Sequence, residues 1–223
     1  MPGQVPPVTD ERHGLLAYLA QQRLVIRIAA HGLTEEQARA TPTASPLSVG
    51  GLVKHVASVE RSWIDVVLRV PPGSADDYEA NFSLQPGETM DDVLGVYDEV
   101  AERTETVVAG IEDLGHPVPV PPDVPWFPDD VEAWSVRWVL LHLIAETARH
   151  AGHADIIRES VDGATAFPLM AAYEKWPATP WMQPWTPADQ AGPAEPLGPG
   201  GTGGAAEPGG TAPAAGPEAV GAR

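Results

Sequence analysis

Residues Ser135 to Gly163 read SVRWVLLHLIAETARHAGHADIIRESVDG, and the fold is decided here. Ser135 can cap a helix because its hydroxyl accepts from a backbone N–H of the first turn. Gly163 can end one because glycine enters the left-handed conformation without a Cβ clash. Between them lie about 28 residues without a proline, running through Trp138, Leu141, Ala145, Ala148 and Ile156, enough for a helix roughly 40 Å long. The segment is apolar or weakly polar on much of its circumference, which predicts a central position in a helical core.

Three further long helices are expected upstream. Glu11 to Ala30 places Leu15, Leu19, Gln22, Arg23 and Ile26 near one stripe, with Gly32 as a stop. A second runs from about Ser48 to Val70, introduced by Ser45-Pro46 and ended by Pro71-Pro72. The third carries Val93, Tyr97, Val100, Thr104, Val107 and Ile111 in steps of four and three, a single core-facing seam, with Glu88, Asp91 and Asp92 at its positive end. No strand alternation of useful length is evident. The predicted class is all-α, an up-down four-helix bundle. Residues 1–10 are expected to be a flexible N-terminus and 11–186 the bundle. Within it, Ala166 to Trp185, with Phe167, Trp176, Trp181 and Trp185 among prolines, is expected to lie as an irregular strap over the helices. Residues 187–223 are almost entirely Gly, Ala and Pro with a few acids and are expected to be a disordered tail.

Composition removes several functions. A net charge of −18, from 13 basic and 31 acidic residues, argues against nucleic acid and anionic membrane surfaces, both of which need clustered Lys and Arg. The absence of cysteine excludes a disulfide framework, a Cys-ligated zinc and a protein-borne thiol nucleophile. No apolar run approaches the roughly 20 residues that span a bilayer, and the N-terminus lacks the basic and apolar regions of a signal peptide. A cytoplasmic protein acting on a small molecule, as monomer or homodimer, is the expectation.

The chemistry is concentrated on the last long helix. His142, Glu146, His150 and His153 recur at spacings of four, four and three, so at 100° per residue they fall within roughly 80° of one another. A row of ionisable groups on a buried helix is costly unless the groups pair or ligate something. A carboxylate and an imidazole one turn apart can meet one ion. A third ligand must come from another helix. Of the seven histidines, only His55 sits mid-helix on an apolar face, near Leu52, Val59 and Val66. Two histidines and a carboxylate leave positions open for water and substrate, as catalytic ions do. The alternative is a buried polar network in which Glu146 pairs with a protonated histidine or with Arg149.

Two stretches, SPLSVGGLVKHVASVERSW (Ser45 to Trp63) and the Ser135 to Gly163 segment, resemble the DinB/YfiT-like superfamily of metalloenzymes, in the branch of the mycothiol-dependent maleylpyruvate isomerases of actinobacteria. The resemblance covers roughly Glu11 to Trp185. It implies a divalent-metal site formed by His55 with the Glu-x-x-x-His pair Glu146 and His150. It places His153, where relatives carry Gln, beside the ligands or against substrate. His142, about 12 Å from His150 along the axis, cannot share an ion with it and is left a proton-accepting or hydrogen-bonding role. Glu60, one turn past His55, points about 140° away and is expected in a surface salt bridge.

The same resemblance implies a thiol cosubstrate, mycothiol, and a reaction of S-transfer or isomerisation on a small electrophile. A non-catalytic metal- or small-molecule-binding bundle and a metal-dependent hydrolase are the competing classes. Zinc is the first choice of metal for this donor set, with Ni, Fe and Mn also fitting. Arg149 and Arg158 are weaker candidates for binding an anionic cofactor, with pairing to Asp155, Glu159 or Asp162 as their other use. Trp126 and Phe127 are candidates for lining a substrate pocket, with plain packing of the loop as theirs.

Overall fold

The computed structural model describes residues 3–71, 79–121, 124, 127–128 and 130–187; Trp126 and the expected tail beyond its first residue lie outside them. Among the described residues, six helices run in the order α1 (Glu11–Ala30), α2 (Glu35–Arg39), α3 (Val49–Val67), α4 (Met90–Gly110), α5 (Val136–Asp162) and α6 (Ala166–Tyr173), with a 3-10 turn at Glu79–Phe82 before α4. The protein is an all-α bundle whose four long helices are those expected from periodicity. Their ends are fixed locally. Asp10, Ser48 and Ser135 each accept a backbone N–H of the first turn, and Thr89 with Asp92 forms a reciprocal capping box. Gly163 closes α5 in the left-handed conformation at φ 76°.

α5 packs against α1 and α3, α3 also packs against α4, and α4 touches α1, which closes the ring. The core runs through this ring as two layers. Ile26, Leu52, Val53, Val56, Tyr97, Ala154 and Ile157 fill one, and Leu19, Trp63, Val67, Val108, Val139, Leu140 and Leu143 the other. No helix among the described residues is long and apolar enough to cross a membrane.

Four details differ from the sequence expectation. The proline-rich connection contains a two-stranded antiparallel ribbon, β1 (Pro117–Pro119) with β2 (Ala133–Ser135), in which Val118 faces Trp134. Three residues per strand are too few for alternation to register. The strap opens as a regular helix, α6, which packs Leu169 and Met170 with Trp185 against Ile28 of α1. α5 is central on two faces only: its third face leaves Trp138, Leu141 and Ile156 exposed, because α1 and α3 cover less than its full circumference. Finally, Glu60 is not on the surface. It is 1% exposed, and Arg23 grips it through two bonds, Nη2 to Oε1 at 2.6 Å and Nε to Oε2 at 3.0 Å. Thr104 donates to the same carboxylate at 2.6 Å.

Candidate metal centre

His55 lies in the second turn of α3, and Glu146 and His150 lie one turn apart on α5. The contact between these helices brings the three together. Glu146 Oε1 is 3.1 Å from His150 Nε2 and 3.7 Å from His55 Nε2. The two imidazoles meet edge to face with centroids 4.7 Å apart. One donor atom from each residue lies within 4.8 Å of the others. For a tetrahedral zinc with bonds near 2 Å, neighbouring donors stand about 3.3 Å apart, and the two measured distances straddle that value. No other group of three His, Cys, Asp or Glu among the described residues meets the same test.

The electrostatics suit a cation. Burial pushes the His55 imidazole down to about 4, the neighbouring His150 adds to the effect, and Glu146 opposes it. Burial likewise lowers His150, again against Glu146. Both rings are therefore neutral at pH 7, with lone pairs free to donate. A histidinium–carboxylate pair, the competing use of these residues, is disfavoured by the same burial. The Nδ1 of His150 is buried without a hydrogen-bond partner among the described residues, whereas its Nε2 faces the Glu146 carboxylate at 3.1 Å. Without an ion the carboxylate, an acceptor only, holds the proton on Nε2, and metal binding there would move it to Nδ1. The donor set, its neutral imidazoles and its spacing fit a divalent ion.

The remaining candidates fall in different places. His142 is half-buried one turn before Glu146, its ring stacked on Trp138 at 5.2 Å and edge-on to Trp63 at 4.9 Å. Burial lowers its pKa, with Glu146 opposing. Trp134 continues the stack beyond Trp138 at 4.6 Å, so an aromatic row leads along α5 to the three donors. His153 is exposed and touches His150 edge to face at 5.5 Å. Arg149 is exposed on the outer face of α5. Arg158 is not available to a cofactor. It is fully buried, donates to the carbonyls of Ala29 and His31 at 2.8 and 2.6 Å, pairs with Asp162 and lies over the Trp185 ring. It pins the end of α1 to α5. Phe127 packs against Trp63 and Trp134 at 5.7 and 5.0 Å, within the aromatic row rather than over the donors.

Phe82 is the neighbour that sequence reading missed. Its ring stacks on His55 with centroids 3.9 Å apart and planes 20° from parallel. The signal that could have found it is the Gly50-Gly51 doublet one turn before His55. Two glycines inside a helix cost it stability and point to a close approach by something else.

A family model described as mycothiol-S-transferase matches residues 14–163. The matched span contains His55, Glu146 and His150 and ends on the glycine that caps α5. No curated protein matches the chain.

Proposed function

The chain belongs to the mycothiol-S-transferase family, and from that premise we propose that it is a metal-dependent enzyme that joins the sulfur of mycothiol to a small electrophilic metabolite. The observation that carries this reading is the convergence of His55 Nε2, His150 Nε2 and Glu146 Oε1. These atoms would hold a divalent ion, zinc before nickel, iron or manganese. When bound, such an ion supplies the Lewis acidity that makes a thiol ionise near neutral pH. The sulfur comes from the cosubstrate, since the chain has no cysteine.

The protein's own part is to bind, orient and handle protons. Glu146, with 27% of its side chain exposed against 5% for His55 and 11% for His150, marks the side from which substrate arrives. That side lies between His142 and His153 on one face of α5. His153 is open to solvent one turn past His150 and can carry the thiol proton away. His142, backed by Trp138, offers a neutral, largely apolar flank. In S-transfer the S–H proton leaves, the sulfur electron pair forms the new S–C bond, and the leaving group departs with its bonding pair. On an activated alkene the proton is instead returned to the neighbouring carbon. Loss of the thiol after bond rotation then gives isomerisation.

Titration of mycothiol into the cobalt-substituted protein tests this directly. The expected result is a saturable change in the cobalt absorption spectrum, including a near-ultraviolet sulfur-to-metal band. An unchanged spectrum at millimolar mycothiol would contradict the reading.

A further inference from the structure

The part of the α3–α4 connection around Phe82 and Leu84 is built onto the first turns of α3 with unusual closeness. A Cβ placed on Gly51 would lie 2.0 Å from the carbonyl oxygen of Phe82 and 2.7 Å from its carbonyl carbon. One on Gly50 would lie 2.5 Å from Leu84 Cδ1 and 2.9 Å from the carbonyl oxygen of Ala38. Any other residue at Gly51 would push the Phe82 backbone off the helix, and one at Gly50 would displace the Leu84 side chain and crowd the Ala38 carbonyl of α2. The segment is also tied down directly after the contact. Lys54, the residue before His55, forms an ion pair with Glu88 at 2.7 Å and donates to the Ser83 carbonyl at 3.4 Å. Arg39 donates to the Leu84 carbonyl at 2.6 Å. Glu88 accepts the backbone N–H of Gln85 at 2.6 Å, and Leu84 is buried in the same core layer as Leu52 and Val53. The outcome of this anchoring is the position of one ring: Phe82 flat against His55.

We propose that Phe82 is a positioning residue for the metal centre, seated by the Gly50-Gly51 doublet so that its ring fixes the imidazole plane of His55 and closes one face of it to water. The proposal rests on the reading of His55 as a metal ligand. His55 enters the site without a helical partner at i+4, unlike Glu146 and His150, which hold each other in register. With the imidazole free to rotate about its side-chain bonds, Nε2 would leave the position 3.7 Å from Glu146 Oε1. A flat aromatic wall removes that freedom without competing for the lone pair. It also leaves Glu146 as the exposed side of the centre, so that the face occupied by Phe82 is closed to substrate.

The test uses the full chain in its Co²⁺-substituted form, comparing wild type with Phe82→Leu, Phe82→Tyr, Gly51→Ala and His55→Ala. Groups that orient metal ligands typically contribute 10- to 100-fold in affinity. Phe82→Leu is expected to bind Co²⁺ roughly 10-fold more weakly with a shifted visible spectrum, because it keeps an apolar contact but loses the flat ring. Gly51→Ala should reproduce that spectrum by displacing Phe82, and Phe82→Tyr should restore the wild-type one. Wild-type affinity and spectrum in Phe82→Leu, together with loss of cobalt in His55→Ala, would overturn the proposal and leave the metal centre standing. Failure of the wild type itself to take up cobalt would overturn both. Phe82→Leu decides the matter if Gly51→Ala does not fold.

Discussion

Glu146 Oε1 sits 3.1 Å from His150 Nε2, one turn further along the same helix. The pair is preorganised by the helix alone, since side chains four residues apart share a face. Docking α3 against α5 then brings His55 to the same carboxylate oxygen, 3.7 Å away.

The state of the two imidazoles gives the first prediction. Both are lowered, His55 to about 4, with burial as the leading cause. At pH 6 an ordinary histidine would be about three-quarters protonated, so metal uptake at two such residues would release more than one proton. Here the release should be well below one. Calorimetric titration of Zn²⁺ in two buffers of different ionisation enthalpy measures it, and a value above one would contradict the burial account.

The same shifts make the metal-free fold sensitive to acid. A histidine whose pKa is lowered in the folded state contributes stability that is complete above about pH 6.5 and is lost as pH falls toward the folded value. His31, His55, His142 and His150 all shift in this direction. Denaturant midpoints of the metal-free protein should therefore fall steadily from pH 7 to pH 4.5. A midpoint independent of pH over that range would argue against buried neutral imidazoles.

Glu60 and Arg23 supply a prediction about the bundle. Both are buried, and each satisfies the other through two bonds. Removing Arg23 strands the Glu60 carboxylate in the core, so Arg23→Met should destabilise by about 3–5 kcal/mol. Glu60→Ala should cost less, because Arg23 keeps Glu105 at 3.1 Å. The double replacement Arg23→Met with Glu60→Leu should recover most of that loss. Urea unfolding measures all three, and a small effect of Arg23→Met would place the pair in solvent.

Gly32 and Trp185 form a close contact at the other end of the molecule. Gly32 has φ 70°, and a Cβ there would lie 2.5 Å from the indole ring. Gly32→Ala should cost more than the roughly 1 kcal/mol of a left-handed backbone, because it also dislodges Trp185 from Arg158. Adding Trp185→Leu should return part of the loss, and strict additivity in unfolding experiments would show that the two residues do not meet.

The long helices were legible because each carries a 3.6-residue period between recognisable caps, and the Glu146–His150 pair because spacing alone places it. The orientation of Glu60 was not. An angle of 140° from His55 says only that the two do not share a face; it cannot say that α3 has neighbours on three sides. The exposed face of α5 was hidden for a related reason: a helix apolar around its circumference does not announce which strip remains uncovered. Arg158 reaches backbone carbonyls at the end of α1, and such partners leave no mark in sequence. Phe82 sits on a connection with no period at all. The glycines that admit it were visible, but what they admit was not.

Whether His55, Glu146 and His150 hold one divalent ion is measured most directly by metal content. Protein purified without a histidine tag and dialysed against Zn²⁺ should retain about one equivalent, as three protein ligands with an open fourth position do. His55→Ala, Glu146→Ala and His150→Ala should each retain little. Equal metal content in the wild type and the three variants would contradict the account.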